Sequence, residues 1–202
     1  MSPFSRFVGV ALLLAMLAPV LASAIVEPKT KTEYPDEIEL TVGDVTYQLQ
    51  ATGVALREKT FLKVDVYTIV SYAPADLALD GDDPGVALAR ADVPKRLQMD
   101  LTRGFSAEKL KNSFSEAIEE NFDDTSAFAG DMDTFLAYWT RDAEEGDELI
   151  FDYYPGVGLT TWLNGQVMGV IDNPAFAVAL WSVWFGKEPA SDDMKEALLS
   201  RE

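Results

Sequence analysis

The sequence contains neither cysteine nor histidine in its 202 residues. Without cysteine it forms no disulfide, so an exported form of the chain must depend on its hydrophobic core for stability. Without histidine it has no serine–histidine or cysteine–histidine nucleophile, no His-ligated zinc site and no imidazole proton shuttle. Any chemistry must therefore use carboxylates, lysine, arginine, tyrosine or hydroxyl groups.

Basic residues are also scarce, with 16 Lys and Arg against 34 Asp and Glu, which gives a formal net charge of −18. A strong negative field repels nucleic acid and anionic lipid headgroups, so we expect no nucleic-acid partner. The acidic turn Asp80–Asp83 lacks the spacing and closing glutamate of a calcium loop, and we predict no metal site. The GxG at 156–158 lies between predicted strands, which indicates a turn and no nucleotide cofactor.

Only one long hydrophobic run occurs, "FVGVALLLAMLAPVLA", at the amino terminus. Arg6 precedes it and Ala22-Ser23-Ala24 follows it as an A-x-A cleavage pattern, so we predict a signal peptide over 1–24. A membrane anchor is the competing interpretation, but Pro19 interrupts the run and no cationic stop follows. The mature domain is then 25–202, exported and with no stable membrane span.

After this segment, the sequence shows strand and hairpin patterns and no regular alternation of strands and helices. After an irregular lead-in at 25–36, "EIELTVGDVTYQLQATGVALRE" predicts two strands joined at Gly43-Asp44, and "GLTTWLNGQVMGVI" a hairpin at Asn164-Gly165. "SAEKLKNSFSEAIEENF" predicts a helix with Ser106 as its N-cap. Helices on an antiparallel sheet define an α+β fold.

The segment "AFAVALWSVWF" predicts a helix that is apolar on all sides. Its eleven residues are too few to span a bilayer. We therefore expect it to be buried between two layers, or to form the wall of a cavity beside the sheet.

Arg57 is the residue whose position most needs explanation. Read in steps of two, Val45, Tyr47, Leu49 and the following odd positions form the apolar face of a strand, and Arg57 falls in phase with them. Three interpretations remain open: Arg57 anchors an anionic ligand in an apolar pocket, it forms a buried ion pair with Asp65, or a bulge at Gly53 turns it to water.

Three segments in order resemble the chalcone isomerase-like family: "GVALREKTFLKVDVYTIVSYA", "LTRGFSAEKLKNSFSEAIEENF" and "YYPGVGLTTWLNGQVMGVIDNPAFAVALWSVWFGKEPASDDMKEALL". The likeness runs from about Glu37 to Leu199. It implies an open-faced β-sandwich, in which a layer of helices covers a large antiparallel sheet and a ligand cleft lies between them. With the leader peptide it suggests a bacterial exported branch, located in the periplasm.

The family contains ring-closing isomerases and fatty-acid-binding proteins, and Arg57 matches the arginine of both branches. Asp65 stands where the enzymes have a threonine and the binders a tyrosine, and Tyr67 is in phase to replace it, with Tyr72 a weaker candidate. The family's other polar positions fall near Phe105 or Ser106, near Asn112 or Ser113, and at Phe176 or Ala177. The last of these has lost its hydroxyl.

From this resemblance we predict a non-catalytic binder of a small amphipathic, fatty-acid-like acid, with no cofactor. Its ligand-binding residues are Arg57, Tyr67 and Asp65, with an apolar wall from the buried helix at Phe176, Leu180, Trp181 and Trp184. The first alternative is an isomerase or intramolecular lyase of the chalcone isomerase type. The second is a structural envelope protein in which Asp65 neutralises Arg57.

Overall fold

The computed structural model describes residues 23–59 and 64–200. The predicted signal peptide lies outside the described residues except for its last two positions. Within the described part of the chain, no helix is both long and apolar enough to cross a bilayer.

A seven-stranded antiparallel sheet forms the centre of the molecule, with its strands in sequence order from one edge to the other. A separate two-stranded sheet precedes it. The strands are β1 (Ala24–Val26), β2 (Glu33–Pro35), β3 (Glu37–Val42), β4 (Val45–Lys59), β5 (Val64–Ala73), β6 (Lys95–Leu101), β7 (Glu148–Tyr154), β8 (Gly158–Leu163) and β9 (Gln166–Ile171). The predicted α+β class is confirmed, but the lead-in expected to be irregular contains the β1–β2 pair.

Five helices pack on the sheet: α1 (Pro84–Arg90), α2 (Ala107–Glu119), α3 (Ala129–Ala137), α4 (Pro174–Phe185) and α5 (Asp192–Leu198). Side chains cap the starts of several of them, because the first N–H groups of a helix lack partners within it. Ser106, as predicted, accepts from the Lys109 N–H at 3.3 Å to start α2. Asn173 accepts from the Ala175 N–H at 2.9 Å to start α4.

Apolar side chains are buried on both faces of the sheet. The helix face carries the large cluster, which includes Ile69, Phe151 and almost all of α4. The outer face carries a smaller cluster around Tyr34, Leu49 and Tyr72, covered in part by the β1–β2 pair. Because both faces of β4 are apolar in places, polarity alone does not reveal which way a given β4 residue points.

A bulge in β4 reverses its phase. Ala51 pairs with Tyr72 and Gly53 pairs with Ser71, so Thr52 is an extra residue. Before the bulge Ala51 belongs to the outer cluster, whereas after it Ala55 belongs to the helix-face cluster. The bulge considered at Gly53 therefore exists, but it turns the odd-numbered residues that follow toward the helices.

The same bulge allows the end of α5 to pack closely against β4. A Cβ on Gly53 would lie 2.2 Å from the carbonyl oxygen of Ala197 and 2.7 Å from the Cα of Leu198. The Thr52 hydroxyl donates to the Leu198 carbonyl at 2.8 Å. Only glycine permits this close approach of the α5 backbone to the sheet.

Candidate functional site

Arg57 and Tyr67 lie opposite each other on β4 and β5, immediately before a second irregularity in the pairing. Side chains directly opposite on an antiparallel pair share a face. That face is the helix side, since both residues line a cavity together with residues of α2 and α4. Of the three environments considered for Arg57, the structure therefore places it in the wall of a cavity. The expected strand phase was wrong, because the bulge separates Arg57 from the face that holds Tyr47 and Leu49.

Tyr67 is oriented by α4. The indole Nε1 of Trp184 donates to the Tyr67 hydroxyl at 2.9 Å. Since an indole N–H can only donate, the hydroxyl accepts there, and its own proton remains available to donate. Burial raises the pKa of Tyr67, while the Trp184 hydrogen bond and the nearby Arg57 charge act against the increase. Tyr67 is therefore a neutral hydrogen-bond donor at ordinary pH.

The cavity has a volume of about 270 Å³ and lies between β4–β6 and helices α2 and α4. Its apolar wall is formed by side chains from both layers, including Met99, Leu101, Phe105, Leu110, Phe114, Val183 and Trp184. Ligand sites typically combine such a wall with a few polar groups that fix the orientation of the ligand. Here Arg57 and Tyr67 are the polar residues that the sheet contributes to the lining, and Tyr67 contacts the buried Trp184.

Helix α2 contributes the polar edge of the cavity. Lys109, Ser113, Glu116 and Glu120 are all exposed and line it at spacings of four, three and four residues. Residues at these spacings lie along one side of a helix. The Lys109 Nζ is 5.6 Å from the centre of the Phe105 ring, which also lines the cavity. This edge therefore carries charges of both signs at the mouth.

Arg57 is partly buried and has no carboxylate within ion-pair distance among the described residues. Removing a cation from water costs several kcal/mol unless an anion or other acceptor compensates it. The site therefore provides a fixed positive charge and a hydroxyl donor next to an apolar wall, an arrangement that suits a carboxylate attached to an apolar chain.

Asp65 does not occupy this site. It pairs in register with Glu58, and its carboxylate accepts from the Lys29 Nζ at 2.5 Å. Lys29 also donates to Glu58 at 2.7 Å. The ion pair between Asp65 and Arg57, on which the envelope-protein alternative depended, is absent from the structure, because Lys29 approaches the outer end of the hairpin and binds both acids.

Phe176 and Trp181 are fully buried core residues and do not line the cavity. Phe176 packs against Phe128 and Phe135 at ring distances of 6.2 and 5.5 Å. The ring of Trp181 lies 5.0 Å from the Nζ of Lys95. Their assignment to the ligand wall is therefore not supported by their positions, and of the aromatic residues proposed on this helix only Trp184 reaches the cavity.

The residue that Trp181 contacts, in place of the cavity, is the buried Lys95. Its side chain is 1% exposed, and its Nζ donates to the carbonyls of Leu88, Ala89 and Ala91 at the end of α1, at 2.7–3.1 Å. Burial lowers the pKa of Lys95 to about 7. The three carbonyl acceptors and the face of the indole ring stabilise the buried ammonium, so Lys95 has a structural role.

Some of the remaining candidate residues line the cavity and others do not. Tyr72 lies in the outer cluster, and its hydroxyl donates to the Pro35 carbonyl at 2.9 Å. Phe105 and Ser113 line the cavity, whereas Ser106 and Asn112 do not.

The sequence analysis missed two features of the site, the hydrogen bond from Trp184 to Tyr67 and the polar edge that α2 contributes to the cavity. The polar edge could have been found from the spacing of Lys109, Ser113 and Glu116, which places them on one side of α2 next to its apolar stripe.

No group of three or more Asp and Glu side chains that could hold a metal ion occurs among the described residues.

Comparisons with known proteins agree with this architecture. The crystal structure of an Arabidopsis thaliana fatty-acid-binding protein superposes with a TM-score of 0.69 at 20% sequence identity, covering 88% of this chain and 96% of that one. At this identity the likeness shows the fold alone. A comparison with curated protein sequences finds no match. The sequence profile of the chalcone isomerase-like family matches residues 30–200. Since the match covers most of the chain, the protein belongs to the chalcone isomerase-like family.

Proposed function

We propose that this protein is an exported, non-catalytic binding protein for a small amphipathic acid of the fatty-acid type. The carboxylate of the ligand would lie against Arg57 and Tyr67, and its chain along the apolar wall between the sheet and helices α2 and α4. The observation that carries the proposal is the bond from Trp184 to Tyr67 at 2.9 Å, which leaves the tyrosine proton available beside an arginine without a carboxylate partner among the described residues.

Two different donors support carboxylate recognition in particular. A guanidinium offers a planar fork that matches the two oxygens of a carboxylate, and a hydroxyl adds a directional hydrogen bond. Tyr67 remains protonated because burial raises its pKa, so it does not repel an anion. A neutral ligand would leave Arg57 partly desolvated and without a counterion, which is unfavourable.

The size of the cavity limits the ligand. Its volume of about 270 Å³ is slightly below the range of about 300–1,000 Å³ typical of small-molecule sites. A chain of medium length fits this description better than a bulky ring system. The family resemblance and the fold shared with a fatty-acid-binding protein support the same class of ligand.

The isomerase alternative has less support from the cavity. The residue at the family's tyrosine position that reaches the cavity is Phe105, whose ring has no hydroxyl, and Phe176 and Ala177 are in the core. Fewer groups are thus available to polarise the ketone of a chalcone. Arg57 and Tyr67 alone suffice for binding an anion.

The proposal is tested by binding and by extraction. Native mass spectrometry of the purified protein is expected to show an acidic amphiphile, and isothermal titration with decanoate a single site. Arg57→Ala is expected to lose the bound acid and to weaken decanoate binding at least tenfold, since a charge-assisted pair is removed. Tyr67→Phe is expected to weaken it less, by the loss of one hydrogen bond.

Arg103→Ala is the matched control. Arg103 is an exposed arginine that does not line the cavity, and its replacement changes the net charge by the same amount. It is expected to bind decanoate like the unmodified protein. Equal binding of decanoate by the Arg57→Ala variant would refute the proposal.

A further inference from the structure

Arg57 lies in the wall shared by two cavities. One is the binding cavity, and the other is a smaller recess of about 170 Å³ between β4 and α5. The charged residues lining the recess are Arg57, Glu58 and Asp193. We call it the acidic recess, because two carboxylates and a single arginine line it.

The two carboxylates of the acidic recess differ in their partners. Glu58 accepts from the Lys29 Nζ at 2.7 Å, a cation that it shares with Asp65, so its charge is compensated in part. Asp193 is exposed in the first turn of α5 and makes no side-chain hydrogen bond or ion pair with another described residue. Asp193 is therefore the carboxylate of the acidic recess that has no partner among the described residues.

We propose that Asp193 is a positioning residue that sets the affinity and charge selectivity of the site by competing with the bound ligand for Arg57. The inference rests on the proposed function. Asp193 and Arg57 line the same recess of about 170 Å³, so their opposite charges interact across it, and salt screens this interaction. The Asp193 charge thus attracts the guanidinium away from the ligand and repels the ligand's anion.

A consequence is selection for a monoanionic head group. Coulomb repulsion grows with the product of the charges. A phosphate monoester carries a charge of about −1.5 to −2 at neutral pH, whereas a carboxylate carries one negative charge. Asp193 therefore penalises an alkyl phosphate more than an alkyl carboxylate of the same chain length, which makes the site selective for monocarboxylates.

The test measures binding of decanoate and decyl phosphate by isothermal titration at low salt. Asp193→Asn is expected to bind decanoate about threefold more tightly, and to gain more for decyl phosphate, about five- to tenfold. Both gains are expected to disappear in 0.5 M NaCl because the interaction is screened. Asp193→Glu keeps the charge and is expected to bind like the unmodified protein.

Asp192→Asn is the matched control, because Asp192 is exposed in the same first turn of α5 but does not line the acidic recess. It is expected to leave both affinities unchanged. A loss of packing or of helix stabilisation does not raise affinity, so tighter binding at an unchanged melting temperature identifies the charge effect. Unchanged or weaker binding by Asp193→Asn, or an equal gain from Asp192→Asn, would overturn the inference.

Failure of the proposed function has a different signature. In that case decanoate does not bind to the unmodified protein, or it binds equally to the Arg57→Ala variant. If decanoate binds and depends on Arg57 while Asp193→Asn has no effect, only the role of Asp193 is refuted.

Discussion

At the scale of single residues, the site depends on the distribution of hydrogen-bond donors. Trp184 is 1% exposed, and its Nε1 reaches Tyr67, which lies 117 residues earlier in the chain. This bond fixes the tyrosine hydroxyl as an acceptor toward α4 and leaves its proton for another partner. Trp181, three residues before, has a buried Nε1 without a hydrogen-bond partner among the described residues. The two tryptophans therefore differ in hydrogen bonding although both are in the core.

Trp184→Phe tests this difference, with Trp181→Phe as its control. Both changes replace a fully buried indole with a smaller phenyl ring, but only Trp184→Phe removes a hydrogen bond. We expect Trp184→Phe to lower the free energy of unfolding by about 1 kcal/mol more than Trp181→Phe. It should also weaken decanoate binding, because the orientation of Tyr67 is lost. Urea denaturation and titration measure the two effects, and equal results for the two variants would contradict this account.

At the scale of secondary-structure elements, the β4 bulge decides which residues meet the helices. The extra residue Thr52 changes the phase of the strand, so that Arg57 joins Tyr67 on the helix face. The bulge also lets α5 approach the sheet at Gly53, so that Asp193 lines a recess together with Arg57. One irregularity in a strand thus determines both the direction of the charge and the acidic residue beside it.

Gly53→Ala is expected to destabilise the protein by about 1–3 kcal/mol, because the new Cβ would overlap the α5 backbone. Gly130→Ala in α3 is the control, since a Cβ there meets no atom within 4 Å. It should be neutral or slightly stabilising, as alanine is the better helix former. Thermal unfolding compares the two variants. A Gly53→Ala protein as stable as the parent would show that α5 adjusts without cost.

At the scale of the whole molecule, the β1–β2 pair bears on the predicted cleavage site of the signal peptide. The two-stranded sheet begins at Ala24, and the proposed cleavage after this residue leaves Ile25 and Val26 to pair with Tyr34 and Glu33. The hydroxyl of Tyr34 fastens this sheet to the outer face by bonds to Thr68 at 2.6 Å and Asp100 at 2.5 Å. Cleavage at this position therefore preserves almost all of the outer layer.

Expression of the full chain in a Gram-negative host tests the export. We expect the mature protein in the periplasmic fraction, with Ile25 as its first residue, because the Ala22-Ser23-Ala24 pattern follows an apolar run of the right length. Amino-terminal sequencing and intact mass measure this directly. A chain with Ala24→Arg is the control and should accumulate unprocessed. Recovery of the uncleaved wild-type chain in the cytoplasm would contradict the export.

Much of the fold was predictable because local signals determine it. The hairpin at Asn164 has φ values of 51° there and 74° at Gly165, as an Asn-Gly turn requires. Ser106 and Asn173 start helices because their side chains satisfy the first N–H groups. The β1–β2 pair was missed because strands of three residues are too short to show a periodicity of two.

The site was predictable only in part. The sequence by itself determined that an arginine lies in an apolar strand, that no histidine or cysteine chemistry is available, and that one helix is buried on all sides. The folded chain was needed to show that Asp65 binds Lys29, that Trp184 and not Trp181 lines the cavity, and that Asp193 lines a recess with Arg57. Composition and periodicity report a residue's own environment, whereas these arrangements join residues far apart in the chain, and the direction of Arg57 also depends on a one-residue bulge.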